Sequence, residues 1–139
     1  MGDLESKVRY FYERFGLGDM EGAASIYGDD VVTVEPALGR ATSLAEWRAY
    51  GEAFRRACPD AHMVLDAVLE VGDTVAVEAR FAGTFTGPLA SPQGDVPPTG
   101  KAFELPFADF FRFQDGLVVE HHVYYDQVAF MAALGIAPP

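Results

Sequence analysis

The chain is short of the residues that disulfide, metal and nucleic-acid chemistry need. Of its 139 residues only Cys58 is a cysteine, so no internal disulfide forms, and a reducing cytoplasm is the expected compartment. Three histidines without close helical spacing predict no metal site. Lys and Arg number 10 against 21 Asp and Glu, a formal net charge of −11. That balance disfavours nucleic acid, anionic membrane surfaces and strongly anionic substrates, and is compatible with a neutral or apolar small molecule. No run approaches the ~18 apolar residues of a spanning helix. The start, Met1-Gly2-Asp3-Leu4-Glu5, is acidic and lacks the basic and apolar regions of a signal peptide. No Gly-rich loop sits between a strand and a helix in either nucleotide-binding pattern, and no Gly-x-Ser-x-Gly elbow exists. Cys58 stands at a helix end beside Pro59 without an evident basic partner, which disfavours a nucleophilic role. Any catalysis is therefore expected to be free of cofactor and metal.

Apolar residues, by contrast, make up 50% of the chain, enough for one packed domain over 1–139. Leu4, Val8, Phe11 and Phe15 recur at helical spacing, and Gly16 and Gly18 end that helix. Asp19 can cap a second short helix with Met20, Ala23, Ala24 and Tyr27 on its buried side. Residues 31–35 are rich in β-branched side chains and predict a strand stopped by Pro36. Ser43-Leu44-Ala45-Glu46 is a capping box for a helix with Leu44, Trp47, Tyr50, Phe54 and Cys58 on one stripe. Ala61, Met63, Leu65, Ala67, Leu69 and Val71 alternate with more polar neighbours, as do Val75, Val77, Ala79 and Phe81 after the Gly72-Asp73 turn. Residues 86–100 predict a long Pro- and Gly-rich loop, of the kind that serves as a functional cover or a mobile segment. Two more strands flank Gln114-Asp115-Gly116. A last helix carries Val128, Phe130, Met131 and Leu134, with Gly135 as its stop. The order predicts an α+β class, an antiparallel sheet with one face covered by helices.

The strand over 101–113 carries the most chemistry. Its odd positions are Lys101, Phe103, Leu105, Phe107, Asp109, Phe111 and Phe113, so Asp109 interrupts an aromatic face. Burying a carboxylate without a partner is costly and favours its protonated form. On the following strand Leu117, Val119, His121, Val123 and Tyr125 share one face, with His121 as the polar interruption. A two-residue Asp115-Gly116 loop would set Asp109 opposite His122, apolar face against polar face. A three-residue loop pairs Phe113 with Leu117, Phe111 with Val119 and Asp109 with His121, and the hydrophobic pattern selects that register. The pair reads either as a structural ion pair or as an acid/base site. The second is favoured because Leu and Val would fill both positions at no cost.

Other polar candidates are less pointed. Glu35 reads as an exposed strand end, or as a base at a pocket mouth. Tyr12 lies at the edge of the first helix stripe, where its hydroxyl could reach a ligand or water. Trp47, Tyr50, Phe81, Phe107, Phe111 and Tyr125 are the aromatic residues expected to line a ligand pocket. His62 and His122 fall on polar faces. Asp126 reads as the N-cap of the last helix, with parity pointing away from the covered face.

Several blocks together resemble the SnoaL-like polyketide cyclases of the nuclear transport factor 2-like superfamily, over nearly the whole length. They are Gly18-Asp19, Val34-Glu35-Pro36 with Gly39, Gly83-Thr84-Phe85-Thr86-Gly87, Pro97-Pro98-Thr99-Gly100-Lys101, the run from Asp109 to Gly116, Val119-Glu120-His121-His122, Asp126, and Leu134-Gly135. The resemblance implies a curved sheet wrapped with helices into a cone around an apolar pocket, often dimeric. It implies cofactor-free ring closure by intramolecular aldol condensation, with an aspartate near the end of the last strand as acid/base, matched here by Asp126. Ketosteroid isomerases share that fold. Their oxyanion-hole aspartic acid lies in the strand motif that Asp109 matches, their base lies near Glu35, and their tyrosine donor falls near Phe11, beside Tyr12. Limonene epoxide hydrolases have a similar ending in Tyr124-Tyr125-Asp126. Their Arg-x-Asp pair has no match in Glu78-Ala79-Arg80-Phe81, which argues against epoxide opening. Phe85 stands where many cyclase relatives carry His.

These observations predict an acid/base enzyme for a hydrophobic carbonyl compound, an aldol-type polyketide or ester cyclase, with Asp109, His121, Asp126 and Glu35 as its catalytic set. The alternatives are a proton-shift isomerase and a binding or dimerisation module without turnover. Val118, Phe110 and Val68, at even positions, predict an outer sheet face apolar enough for a homodimer.

Overall fold

A computed structural model describes residues 2–36, 40–91 and 93–136; Met1 and Gly39, named above, lie outside them. Helix α1 (Asp3–Gly16) and the short α2 (Met20–Ala24) lead into strand β1 (Tyr27–Glu35) and a brief β2 (Arg40–Thr42). Helix α3 (Leu44–Ala57) precedes four strands, β3 (His62–Val71), β4 (Thr74–Thr84), β5 (Ala102–Gln114) and β6 (Leu117–Tyr124), and α4 (Gln127–Leu134) follows. The six strands form one curved, unclosed sheet in the order β2-β1-β6-β5-β4-β3. Its inner face packs under the helices as α+β architecture requires. Among the described residues no helix is long and apolar enough to cross a membrane.

Local chemistry sets the helix ends. The Ser43 hydroxyl accepts from the Glu46 N–H at 3.3 Å and opens α3. The Asp19 carboxylate does the same for α2 and that of Asp126 for α4, accepting from Gly22 and Ala129. Gly135, at φ 79°, closes α4 in the left-handed conformation. The stripe on α1 is as spaced: Val8, Phe11 and Phe15 are buried, and Tyr12 is buried with them. On α4 only Phe130 and Leu134 are buried, and Val128 is exposed.

The sheet departs from expectation in four places. It is mixed rather than antiparallel, because β1 runs parallel to β6, pairing Thr33 with His121 and Val34 with His122. β1 begins at Tyr27, which the helical pattern had assigned to α2. The β5–β6 turn is the two-residue one. Asp115 and Gly116, at φ 52° and 82°, both take the positive φ that a tight type I′ hairpin demands. Gln114 therefore pairs with Leu117 and Phe113 with Val118, and the register then slips so that Arg112 pairs with Glu120. The extra residue, Val119, is a bulge that restores facing parity. Phe111 consequently faces His121, and Asp109 faces Val123 rather than His121. A second slip, at Asp66 on β3, turns Val68 inward against the core and leaves Leu69 and Val71 exposed at 62% and 75%. The two bulges also undo most of the predicted outer patch. Val118 is fully buried and Val68 faces the core, so of the three residues named for that patch only Phe110 is exposed.

Two apolar clusters share the inner face. One joins α1 and α2 to Tyr27, Val31, Val75, Val77, Phe111, Phe113 and Val118. The other joins Phe54, Ala57, Cys58, Phe85, Phe103, Leu105, Phe130 and Leu134. Phe81 packs against both. The 86–100 loop is tied down: Thr86 and Gly87 donate to the Ala57 carbonyl, and the Thr99 hydroxyl donates to that of Leu134.

Candidate active site

Between the clusters lies a cavity of about 800 Å³ including its open mouth. Its walls are Phe11, Phe15, Trp47, Tyr50, Phe54, Met63, Phe81, Leu105, Phe107, Val123, Tyr125 and Phe130, interrupted by Tyr12, Thr33, Glu35, Asp109 and His121. This is the usual make-up of a small-molecule site, an apolar concavity with a few convergent polar groups. Among the described residues that line the cavity there is no Lys or Arg, and none comes from the 86–100 loop. Among the described residues no three His, Cys, Asp or Glu converge as a metal site would require.

The polar groups fall into two sets. The inner set is built on the middle of β5 and β6. Asp109 is 3% exposed and His121 2%. Although they sit diagonally rather than face to face, the His121 Nε2 lies 3.0 Å from Asp109 Oδ2. The Tyr12 hydroxyl donates a very short hydrogen bond to that same Oδ2. On the far side of the imidazole, the Tyr27 hydroxyl lies 2.7 Å from Nδ1. The His121 ring stacks on Phe111, 4.0 Å between centroids and 20° between planes. The other carboxylate oxygen, Asp109 Oδ1, is buried and has no hydrogen-bond partner among the described residues. An orphaned buried acceptor costs about 1–3 kcal/mol. Here the carboxylate that carries it lines the cavity.

Burial, followed by the Asp109 charge, pushes the phenols of Tyr12 and Tyr27 well above the usual tyrosine range. Both therefore remain donors at neutral pH. A protonated Tyr27 can donate to Nδ1, which would leave the imidazole proton on Nε2, facing Asp109.

The outer set stands at the ends of elements. Glu35, the last residue of β1, is 8% exposed rather than a solvated strand end, because Tyr50 and Tyr125 cover it. The Tyr125 hydroxyl donates to Glu35 Oε1 at 2.5 Å. Tyr50, from α3, stands beside both Glu35 and Tyr125. Burial pushes both phenols above the usual range, helped by the Glu35 charge. Continuing the β1–β6 register by one residue puts Glu35 beside Val123, whose other neighbour is Asp109. The two carboxylates thus share a face two strand spacings apart, about 10 Å.

Of the residues singled out by sequence, Asp109, His121, Glu35, Tyr12, Trp47, Tyr50, Phe81, Phe107 and Tyr125 all meet at this cavity. Phe111 does not line it; it lies behind, stacked on His121. Asp126 does not line it either and spends its carboxylate on the α4 N-terminus. Tyr27 was missed as a site residue, since the Gly28-Asp29-Asp30 break hides its membership of β1.

The sequence pattern of the SnoaL-like domain matches residues 8–121. The chain belongs to the SnoaL-like domain family. That match takes in every inner-set residue and Glu35 and ends before Tyr125 and Asp126. Solved structures agree with this membership. AclR of Streptomyces galilaeus, a proposed hydroxylase, is 22% identical with a TM-score of 0.83, covering 98% of each chain. IdmH of Streptomyces antibioticus, a proposed polyketide cyclase, is 26% identical with a TM-score of 0.80, over 97% of this chain and 100% of its own. A proposed SnoaL-like polyketide cyclase of Jannaschia sp. CCS1 is 24% identical with a TM-score of 0.81, over 98% and 93%. At such identities AclR and the Jannaschia protein speak for the fold alone. No curated protein matches the sequence.

Proposed function

We propose that this SnoaL-like protein is a cofactor-independent acid/base enzyme that closes a ring in a hydrophobic carbonyl compound by aldol addition. The observation that carries the reading is Asp109 Oδ1, a buried acceptor with no partner among the described residues, on a carboxylate that lines an aromatic cavity. Its sister oxygen is held by Tyr12 and His121, so the group is oriented and the vacant lone pairs are left for a guest. Membership of the family and likeness to a proposed polyketide cyclase support the choice of reaction.

The geometry supports the following steps. Oδ1 takes a proton from the carbon next to the carbonyl, and the C–H electron pair moves into the carbonyl to make an enolate. A hydroxyl of Tyr50 or Tyr125, whose ring stands beside Glu35, turns its single proton from the Glu35 side to the enolate oxygen. Hydrogen bonds prearranged in a partly dry site act on developing charge more strongly than in water. The enolate carbon then attacks a second carbonyl carbon of the same molecule. One C–C bond forms, and the resulting alkoxide takes back the proton held by Asp109. No proton or electron is left over, so the step needs no cofactor.

The test begins with a thermal-shift panel of polycyclic and aryl ketones, since a ligand of the native state raises the melting temperature. Compounds that bind are then followed by proton NMR in heavy water for exchange of the hydrogens beside the carbonyl. The wild-type protein is expected to catalyse that exchange, and Asp109→Asn to lower it by at least about a hundredfold while the ligand still binds. Ligands that bind the wild type without exchange identify a binding module instead. Exchange by Asp109→Asn at the wild-type rate removes Asp109 from the chemistry.

A further inference from the structure

Tyr27 lies outside the cavity lining yet reaches Asp109 through one intermediary, His121. Its hydroxyl is 2.7 Å from His121 Nδ1, and His121 Nε2 is 3.0 Å from Asp109 Oδ2. Its ring is clamped by Trp47, edge-on at 5.0 Å between centroids, and by Phe11 at 5.7 Å. The backbone holds it as well: Tyr27 pairs with Val118 at the start of β1, before the register slip that leads to Val32 and Glu120.

We propose that Tyr27 is a positioning residue that fixes the tautomer of His121 and, through it, the acceptor character of Asp109. A neutral imidazole carries one proton, and the nitrogen that bears it is set by the hydrogen bond at the other. The Tyr27 hydroxyl donates to Nδ1, so the proton sits on Nε2 and is donated to Asp109 Oδ2. Without that hydroxyl the proton can move to Nδ1. A bare Nε2 lone pair then faces the carboxylate lone pair at hydrogen-bond distance, an arrangement that holds only if Asp109 takes up a proton or the ring turns. The first response removes the base, and the second takes the histidine hydrogen bond from Oδ2 and loosens its orientation. Three ionisable groups face His121 directly or through the shared oxygen: Asp109 from β5, Tyr12 from α1 and Tyr27 from β1. The remaining contacts named for the ring, Phe11 and Phe111, are apolar. Burial keeps the Tyr27 phenol protonated, as a donor must be.

This role rests on the proposed reaction, but its first readout needs no substrate. In full-length protein labelled with nitrogen-15 at histidine, the His121 ring is expected to show the Nε2–H tautomer. Tyr27→Phe keeps the ring packing and removes only the hydroxyl. It is expected to bring in the Nδ1–H form and to lower carbonyl-side proton exchange by roughly tenfold, part of the 10²–10⁴-fold worth of proton transfer as a whole. Tyr12→Phe is the control: it weakens exchange through Asp109 and leaves the His121 tautomer as it was. A wild-type His121 with its proton on Nδ1, or on both nitrogens, overturns the proposal without any variant. So does a Tyr27→Phe protein that keeps pure Nε2–H, or that shifts tautomer and exchanges at the wild-type rate. A tautomer shift in a protein whose wild type binds ketones without exchange sinks the reaction and leaves the hold of Tyr27 on His121 standing.

Discussion

The inner and outer polar sets of the cavity use the same ingredients, one carboxylate and two phenols, and differ in how they are held. Asp109, Tyr12 and Tyr27 are each at most 5% exposed; the two tyrosines belong to the larger apolar cluster, and His121 stacks on its Phe111. Asp109 and His121 come from the interiors of paired strands, where the ladder fixes the backbone on both sides. Glu35 ends β1, Tyr125 follows β6, and Tyr50 and Tyr125 are only half-buried. The outer carboxylate already accepts from the Tyr125 phenol, whereas the inner one keeps an oxygen without a partner among the described residues. A rigid set with a vacant acceptor suits the bond-breaking step. A less enclosed set at element ends suits the meeting with varied carbonyl oxygens, because site precision falls off from regular elements to their ends.

The largest effect that separates the two sets is alkaline. A tyrosine whose folded pKa is raised keeps its proton when the unfolded chain would lose it. Its stabilisation is therefore complete below the ordinary tyrosine value of 10.0 and is lost as pH climbs above it. Tyr12 and Tyr27 together are expected to cost about 3 kcal/mol of stability per pH unit above that point, at ~1.4 kcal/mol per retained proton. Tyr50 and Tyr125 are raised too, and each adds the same slope while it keeps its proton; half-buried and better screened, they are expected to let go of it before the inner pair. Urea midpoints between pH 9 and 11, read with the phenolate absorbance, measure this slope. Tyr12→Phe should flatten it more than Tyr125→Phe. The reverse order would mean that the inner set is the wetter one.

Next in size is the loss of the outer carboxylate. Glu35→Gln keeps an oxygen that can accept from Tyr50 or Tyr125 and removes the charge that orients them. Carbonyl-side exchange is expected to fall about tenfold, ~1.4 kcal/mol of transition-state stabilisation. That is well short of the loss for Asp109→Asn. Equal losses at the two carboxylates would make both of them bases and erase the distinction between the sets.

The inner set was largely legible before any coordinates. Period-two alternation on β5 and β6 put Asp109 and His121 on the covered face, and the contact forms, although the pairing that brings it about is different. The hydrophobic pattern fixed which faces meet. It could not choose between a three-residue loop and a two-residue loop with a bulge, since both satisfy the same parity. Nothing in Leu117-Val118-Val119-Glu120 marks Val119 as the surplus residue, just as nothing in Leu65-Asp66-Ala67 marks the slip on β3. The outer set was half-legible. Val31, Thr33 and Glu35 share one parity, and all three are buried, which was a usable signal for Glu35. Its cover comes from α3 and the chain after β6, contacts between distant segments that no local pattern records. Tyr27 fell between two elements. Helical spacing claimed it for α2, and only pairing with Val118 shows it to be a strand residue.

The smallest effect concerns Asp126, where likeness to the cyclases and local chemistry pull apart. The resemblance gives this position an acid/base role. In the structure the side chain is exposed, accepts from the Ala129 N–H at 3.0 Å and caps α4. A capping carboxylate gains from the exposed N–H groups and from the positive end of the helix dipole, both of which favour leaving it where it is. Asp126→Ala should cost about 1 kcal/mol of stability by urea unfolding, within the ~0.5–2 kcal/mol range of cap losses. It should leave carbonyl-side exchange within about twofold of wild type. Asp126→Asn, which can still cap, should recover most of the stability. If both variants lose exchange as Asp109→Asn does, Asp126 leaves its cap during the reaction, and the outer set has a second carboxylate that the resting fold keeps out of the cavity.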